Sequence, residues 1–89
     1  MIIKYTDEFL LTLKHCNVRI RKAFKQRLII FIHNPNDSQL RNHLLRNEYV
    51  GKRSIDITAD WRAIFEMIEI SDEVIIYFTA LGTHKNLYN

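Results

Sequence analysis

RSIDITADWRAIFEMIEISDEVIIYFTAL, residues 53–81, decides the architecture. Over Arg53–Thr58 the side chains alternate, with Ile55 and Ile57 on one side and Ser54, Asp56 and Thr58 on the other. That period of two is a strand's. Trp61–Ile70 repeats it, with Ile64, Ile68 and Ile70 on one face and Trp61, Ala63, Phe65 and Met67 on the other. Val74–Leu81 is a near-continuous apolar run, as a strand buried on both faces requires. The breaks at 58–60 and 71–73 are short and polar, which suits hairpin turns. The three strands are expected to form an antiparallel meander.

Upstream the period changes. Ile2–Thr6 is β-branched and aromatic and predicts a first strand. Thr6 then offers a helix cap, and Asp7 and Glu8 place carboxylates at the positive helix end. Phe9, Leu10 and Leu13 supply an apolar stripe before Asn17 breaks the segment. In Val18–His33, Ile20, Phe24, Leu28 and Phe31 recur at helical spacing. Pro35 closes that helix, because proline cannot continue it and disfavours helical backbone at its predecessor. The two segments predict an αα-hairpin. Ser38–Gly51 reads as a polar connection with a short strand near His43–Leu45. The expected order is β-α-α-β-β-β: an α+β fold whose antiparallel sheet carries the N-terminal helical hairpin on one face.

Residues 1–89 are expected to form one domain, with 47% hydrophobic and 26% charged residues, the balance of a globular chain. A lone cysteine, Cys16, rules out an internal disulfide and any CxxC motif. Apolar runs reach only five residues, as at Leu28–Ile32, and Met1–Tyr5 lacks the layout of a secretory signal. A cytoplasmic protein without a membrane partner is expected. Charge is uneven: residues 1–46 carry +6 and residues 47–89 carry −3. Arg19, Arg21, Lys22, Lys25 and Arg27 concentrate cations on the second helix, a surface for polyanions or simply a solvated face.

No glycine-rich phosphate loop is present, and the four histidines lack metal-ligand spacing. The meander offers another chemistry. A final strand antiparallel to its neighbour returns His84 toward Asp60 and Trp61, and His43 can reach the same rim through its loop. Arg53 and Arg62 add fixed positive charge nearby. Imidazoles, a carboxylate and guanidiniums suit RNA strand cleavage. A base takes the ribose 2′-hydroxyl proton, an acid protonates the departing 5′-oxygen, and cations stabilise the charge gathering on phosphorus.

Three separated motifs extend this reading: LRNHL at 40–44, RSIDITADWRAIF at 53–65 and LGTHKNLY at 81–88. Together they resemble the YafQ-like branch of the RelE/ParE toxin superfamily. The resemblance implies a small antiparallel sheet packed on an αα-hairpin. It further implies the toxin of a type II toxin–antitoxin pair, an endoribonuclease that cuts mRNA codons in the ribosomal A site without metal or other cofactor. The implied partners are a cognate antitoxin that wraps and inhibits the toxin, the ribosome with its mRNA, and operator DNA through the antitoxin only.

Carried over by position, Asp60 is base or orienter, and His84 is general acid. His43 serves proton transfer or phosphate binding, and Arg53 charge stabilisation. The acid and base roles can be exchanged. Tyr88 matches the terminal aromatic that stacks on or positions an mRNA base. Lys52, Arg62 and Lys85 are the further RNA-binding candidates. Two departures stand out. Asp56 occupies the place of another histidine, where a carboxylate brings no positive charge but can act as a base. Ala80 occupies the place of an arginine on the final strand, a loss for which Arg62 or Lys85 can compensate. The rival expectations are a ParE-like gyrase poison and a toxin that binds only its antitoxin and operator.

Overall fold

The computed structural model describes residues 1–88. Strand β1 (Ile2–Tyr5) leads into helix α1 (Asp7–His15), whose N-terminus is capped by Thr6, with Oγ1 accepting from Phe9 N–H at 3.1 Å. Asn17 caps α2 (Val18–His33) in the same way through Ile20 N–H. Two 3-10 turns, Ser38–Leu40 and Asn47–Tyr49, flank the two-residue strand β2 (His43–Leu44). The meander follows as β3 (Arg53–Asp56), β4 (Trp61–Ile70) and β5 (Glu73–Thr83), and a short helix α3 (His84–Tyr88) ends the described chain.

The sheet order is β1-β5-β4-β3-β2. Neighbours from β5 to β2 are antiparallel, as expected for the meander. The expected all-antiparallel sheet is corrected at one edge, where β1 pairs parallel to β5. The helical hairpin carries the chain away from β1, so nothing local ties that strand to an antiparallel neighbour. The apolar run of β5 suits a strand flanked on both sides. Ser71 and Asp72 both take positive φ, 48° and 69°, which matches the right-handed twist of the β4–β5 hairpin. The third helix was not anticipated; residues 84–88 are too few for an apolar period to register.

Both helices cover one sheet face. Phe9, Phe24, Phe31, Phe65 and Phe78 are all at most 4% exposed, with contacting ring centroids 5.2–6.0 Å apart. Burying each such ring stabilises by roughly 1.5–3 kcal/mol before conformational entropy is counted. Ile55, Ile57, Ala63 and Leu81 complete the layer. The β4–β5 ladder pairs Ile64 with Ala80 and then Phe65 with Phe78, so Thr79 is an extra residue, a β-bulge. No described helix is long and apolar enough to cross a membrane.

Candidate active site

The pleat places His43, Ser54, Asp56, Arg62, Ile64, Ala80 and Gly82 on the sheet face away from the helical hairpin. Helix α3 folds back over this face. It lies close at Gly82, where an added Cβ would stand 3.2 Å from the Leu87 side chain. Ile64 beneath is fully buried although it lies outside the core under the helices. Between α3 and the 41–47 loop runs a cleft of about 390 Å³. Its walls carry Arg41, Arg46 and Arg62 against the single carboxylate of Asp56, a charge of +2 with the imidazoles of His43 and His84 neutral.

Asp56 organises the floor. Its Oδ1 lies 3.0 Å from Arg62 Nε, and both side chains are about 15% exposed. Arg62 Nη1 also donates to the carbonyls of Thr58, Ala59 and Trp61 at 3.1–3.2 Å, tying the β3–β4 turn to the cleft. The other Asp56 oxygen lies 3.6 Å from Nε of Arg41, whose side chain is 75% exposed. His43 Nδ1 is 2.7 Å from the Arg41 carbonyl. A carbonyl only accepts, so Nδ1 carries the hydrogen, and the neutral ring presents Nε2 as its basic nitrogen.

His84 begins α3, with its backbone N–H on the Asp60 carbonyl at 2.9 Å. Its ring lies against Tyr88 at a centroid distance of 4.7 Å, and Tyr88 meets Tyr49 edge-on at 5.8 Å. Burial, reinforced by Glu48 and Tyr88, holds the Tyr49 hydroxyl above the usual phenol range, so it stays protonated at neutral pH. The Tyr88 hydroxyl is buried without a hydrogen-bond partner among the described residues.

Of the residues singled out in the sequence, His43, Asp56, Arg62, His84 and Tyr88 thus line one cleft. The expected meeting of Asp60 with His84 occurs, but through the main chain. Asp60 is absent from the lining of that cleft and instead lines a separate groove with Arg19, Ile20 and Trp61. Arg53 shares the hairpin side of the sheet with Ile55 and Phe65, and its Nε donates to Asn42 Oδ1 at 2.8 Å. Lys52 pairs with Glu66 at 3.3 Å, and exposed Lys85 on α3 is not among the cleft-lining residues. The sequence reading did not single out Arg41, Arg46 or Asn47. Arg41 and Arg46 flank His43 within three residues, and that proximity is the signal that could have found them. No group of three or more His, Cys, Asp or Glu side chains suited to hold a metal ion occurs among the described residues.

A YoeB/ParE toxin from Agrobacterium tumefaciens superposes with a TM-score of 0.76, over 94% of this chain and 99% of the other, at 15% identity. The chain has the RelE/ParE toxin fold. YafQ from E. coli shares that fold at a TM-score of 0.69 and 22% identity, covering 98% of this chain and 97% of YafQ. So does a chain of the RelB–RelE antitoxin–toxin complex from Methanococcus jannaschii, at 0.66 and 20% identity, over 96% and 94%. No family model matches the sequence, and no curated protein matches it in sequence. Within the RelE/ParE fold, the cleft lies on the sheet face that the helical hairpin leaves open.

Proposed function

We propose that this chain is the toxin of a type II toxin–antitoxin pair and an endoribonuclease that cuts mRNA in the ribosomal A site. The observation that carries the reading is the convergence of His43 and His84, 41 positions apart in the chain, on one arginine-lined cleft. A protein that only bound a partner would not need two proton-transfer groups beside a site for anions.

In this reading His43 Nε2 takes the proton of a ribose 2′-hydroxyl. The 2′-oxygen attacks the adjacent phosphorus, and the bond to the 5′-oxygen breaks. His84, entering protonated, gives its proton to that leaving oxygen. The products are a 2′,3′-cyclic phosphate and a 5′-hydroxyl, and proton exchange with water resets both imidazoles. The cleft arginines oppose the charge that grows on the phosphoryl oxygens. Asp60 positions His84 through its carbonyl. Tyr88 gives a base a surface to stack on. Arg53 and Lys52 support the fold around the cleft, and Lys85 stands ready for flanking phosphates. A cytoplasmic location, an inhibiting antitoxin and operator binding through that antitoxin complete the proposal.

The test is induction of the chain without its antitoxin, followed by primer extension and cleavage assays on programmed ribosomes. New mRNA ends within translated frames are expected. Intact messages accompanied by supercoiling defects would move the function to gyrase. Neither effect, with antitoxin binding intact, would leave a binding module only.

A further inference from the structure

We propose that Arg41 is the cation that meets the scissile phosphate, held at the cleft rim by Asp56 until RNA displaces it; this rests on the nuclease reading above. Three guanidiniums line the cleft, and their surroundings differ. Arg62 is committed: its Nε faces Asp56 at 3.0 Å, its Nη1 serves three carbonyls, and its side chain is 15% exposed. Arg46 lines the cleft without an ion pair or side-chain hydrogen bond among the described residues, so fixing it on a ligand costs its full rotamer freedom. Arg41 lies between these extremes. A single 3.6 Å contact to Asp56 restrains it, yet 75% of its side chain is open to solvent.

The backbone supports the same assignment. Arg41 takes φ 49° and ψ 47°, a left-handed conformation unfavourable for any residue with a Cβ. It follows directly on Leu40, which is fully buried and anchors the turn. In this conformation the Arg41 carbonyl receives Nδ1–H of His43 at 2.7 Å while the guanidinium reaches Asp56. One residue therefore sets the tautomer of the base and carries a cation beside it. An arriving phosphodiester offers two oxygens that share one negative charge to a planar fork that a carboxylate holds through one long contact. Asp56 is then a positioning residue. It leaves acid–base chemistry to the histidines and pre-places Arg41, and this gives the carboxylate a role where the resembling family has a histidine.

Arg41→Gly is the decisive variant, because it relieves the left-handed backbone, keeps the carbonyl on His43 and removes the guanidinium. It is expected to melt no lower than wild type and to cleave about 10²-fold more slowly in single-turnover assays on programmed ribosomes. Asp56→Asn is expected to slow wild type about tenfold and to change little in the Arg41→Gly background. Independently of the ribosome, the Arg41 Nε–Hε resonance of the full chain is titrated with inorganic phosphate and with a 2′-O-methyl RNA trinucleotide, which cannot be cut. A saturable shift with both is expected. Cleavage by Arg41→Gly within threefold of wild type, or an Arg41 resonance unmoved while other cleft resonances shift, would overturn the proposal. If Arg41 shifts while wild type leaves ribosome-bound mRNA intact, the anion site stands and the nuclease reading falls.

Discussion

Replacing Arg62 with methionine keeps an unbranched side chain along the sheet and deletes the guanidinium. Two losses follow. The Nε bond to Asp56 Oδ1 at 3.0 Å is charge-assisted, and such bonds contribute about 1.5–3 kcal/mol. The Nη1 contacts to the carbonyls of Thr58, Ala59 and Trp61 share two protons, so they add about 1 kcal/mol more. Asp56, 14% exposed, keeps only the long contact to Arg41. The expected cost is therefore about 3 kcal/mol, a large fraction of the stability of a chain this size. With a urea slope near 1 kcal/mol/M, the midpoint should fall by about 3 M. Trp61 is the sole tryptophan and sits at the end of the turn that Arg62 ties, so its fluorescence reports the transition directly. Lys52→Met is the internal control. Its pair with Glu66 is more open, at 29% and 40% exposure, and pairs of that kind contribute below about 1 kcal/mol. Equal midpoints for the two variants, or an Arg62→Met midpoint within about 0.5 M of wild type, would refute the idea that Arg62 is an interior clamp.

Further outcomes are expected at the cleft. His43→Gln and His84→Gln, made separately, should each lower cleavage by roughly 10²–10⁴-fold. Both side chains are exposed, so circular dichroism and urea midpoints should match wild type. Gly82→Val should crowd Leu87, displace α3 and raise amide exchange over residues 84–88, at a cost of about 1–3 kcal/mol. An α3 protected as in wild type would show that the close approach at Gly82 does not hold the helix. Ser54→Ala should raise the melting temperature by a few degrees, since the buried Oγ has no partner among the described residues and its desolvation costs up to about 1 kcal/mol. A lower melting temperature would mean that the hydroxyl is satisfied in solution.

What the sequence made legible was local. The bounds of α2, Val18–His33, follow from the Asn17 cap and the Asn34–Pro35 stop, and those of β4, Trp61–Ile70, from alternation between two polar turns. The same period of two turned Asp56 away from Ile55 and Ile57, which is the side on which the cleft opens. What stayed hidden depends on distant pairings. The parallel place of β1 beside β5 joins the two ends of the chain through the helical hairpin, and no spacing encodes it. Asp60 was expected beside His84 because the meander brings their backbones together, and it does. The residue nevertheless lines a different groove, one it shares with Arg19 and Ile20 of α2. The place of Arg41 at the cleft depends on its left-handed backbone in a polar loop, where neither periodicity nor turn signals give direction.

The bulge at Thr79 links core packing to site assembly. In an unbroken strand, Ile76, Phe78, Ala80 and Gly82 would share the hairpin face, and Leu81 would point into the cleft. The extra residue reverses the phase. Leu81, 6% exposed, joins Phe78 in the core, while Ala80 and Gly82 turn to the open face. Both demands are met at once. The helices gain an apolar side chain, and the open face gains its smallest residues where α3 must return. Leu87 comes close over Gly82 because no side chain stands there, and α3 in turn carries His84 and Tyr88 to the cleft that His43 reaches from β2. An inserted residue on the final strand thus decides where the helix lands and which residues can face one another across the open sheet. For that reason the chemistry of this cleft is a property of strand phase as much as of the residues that line it.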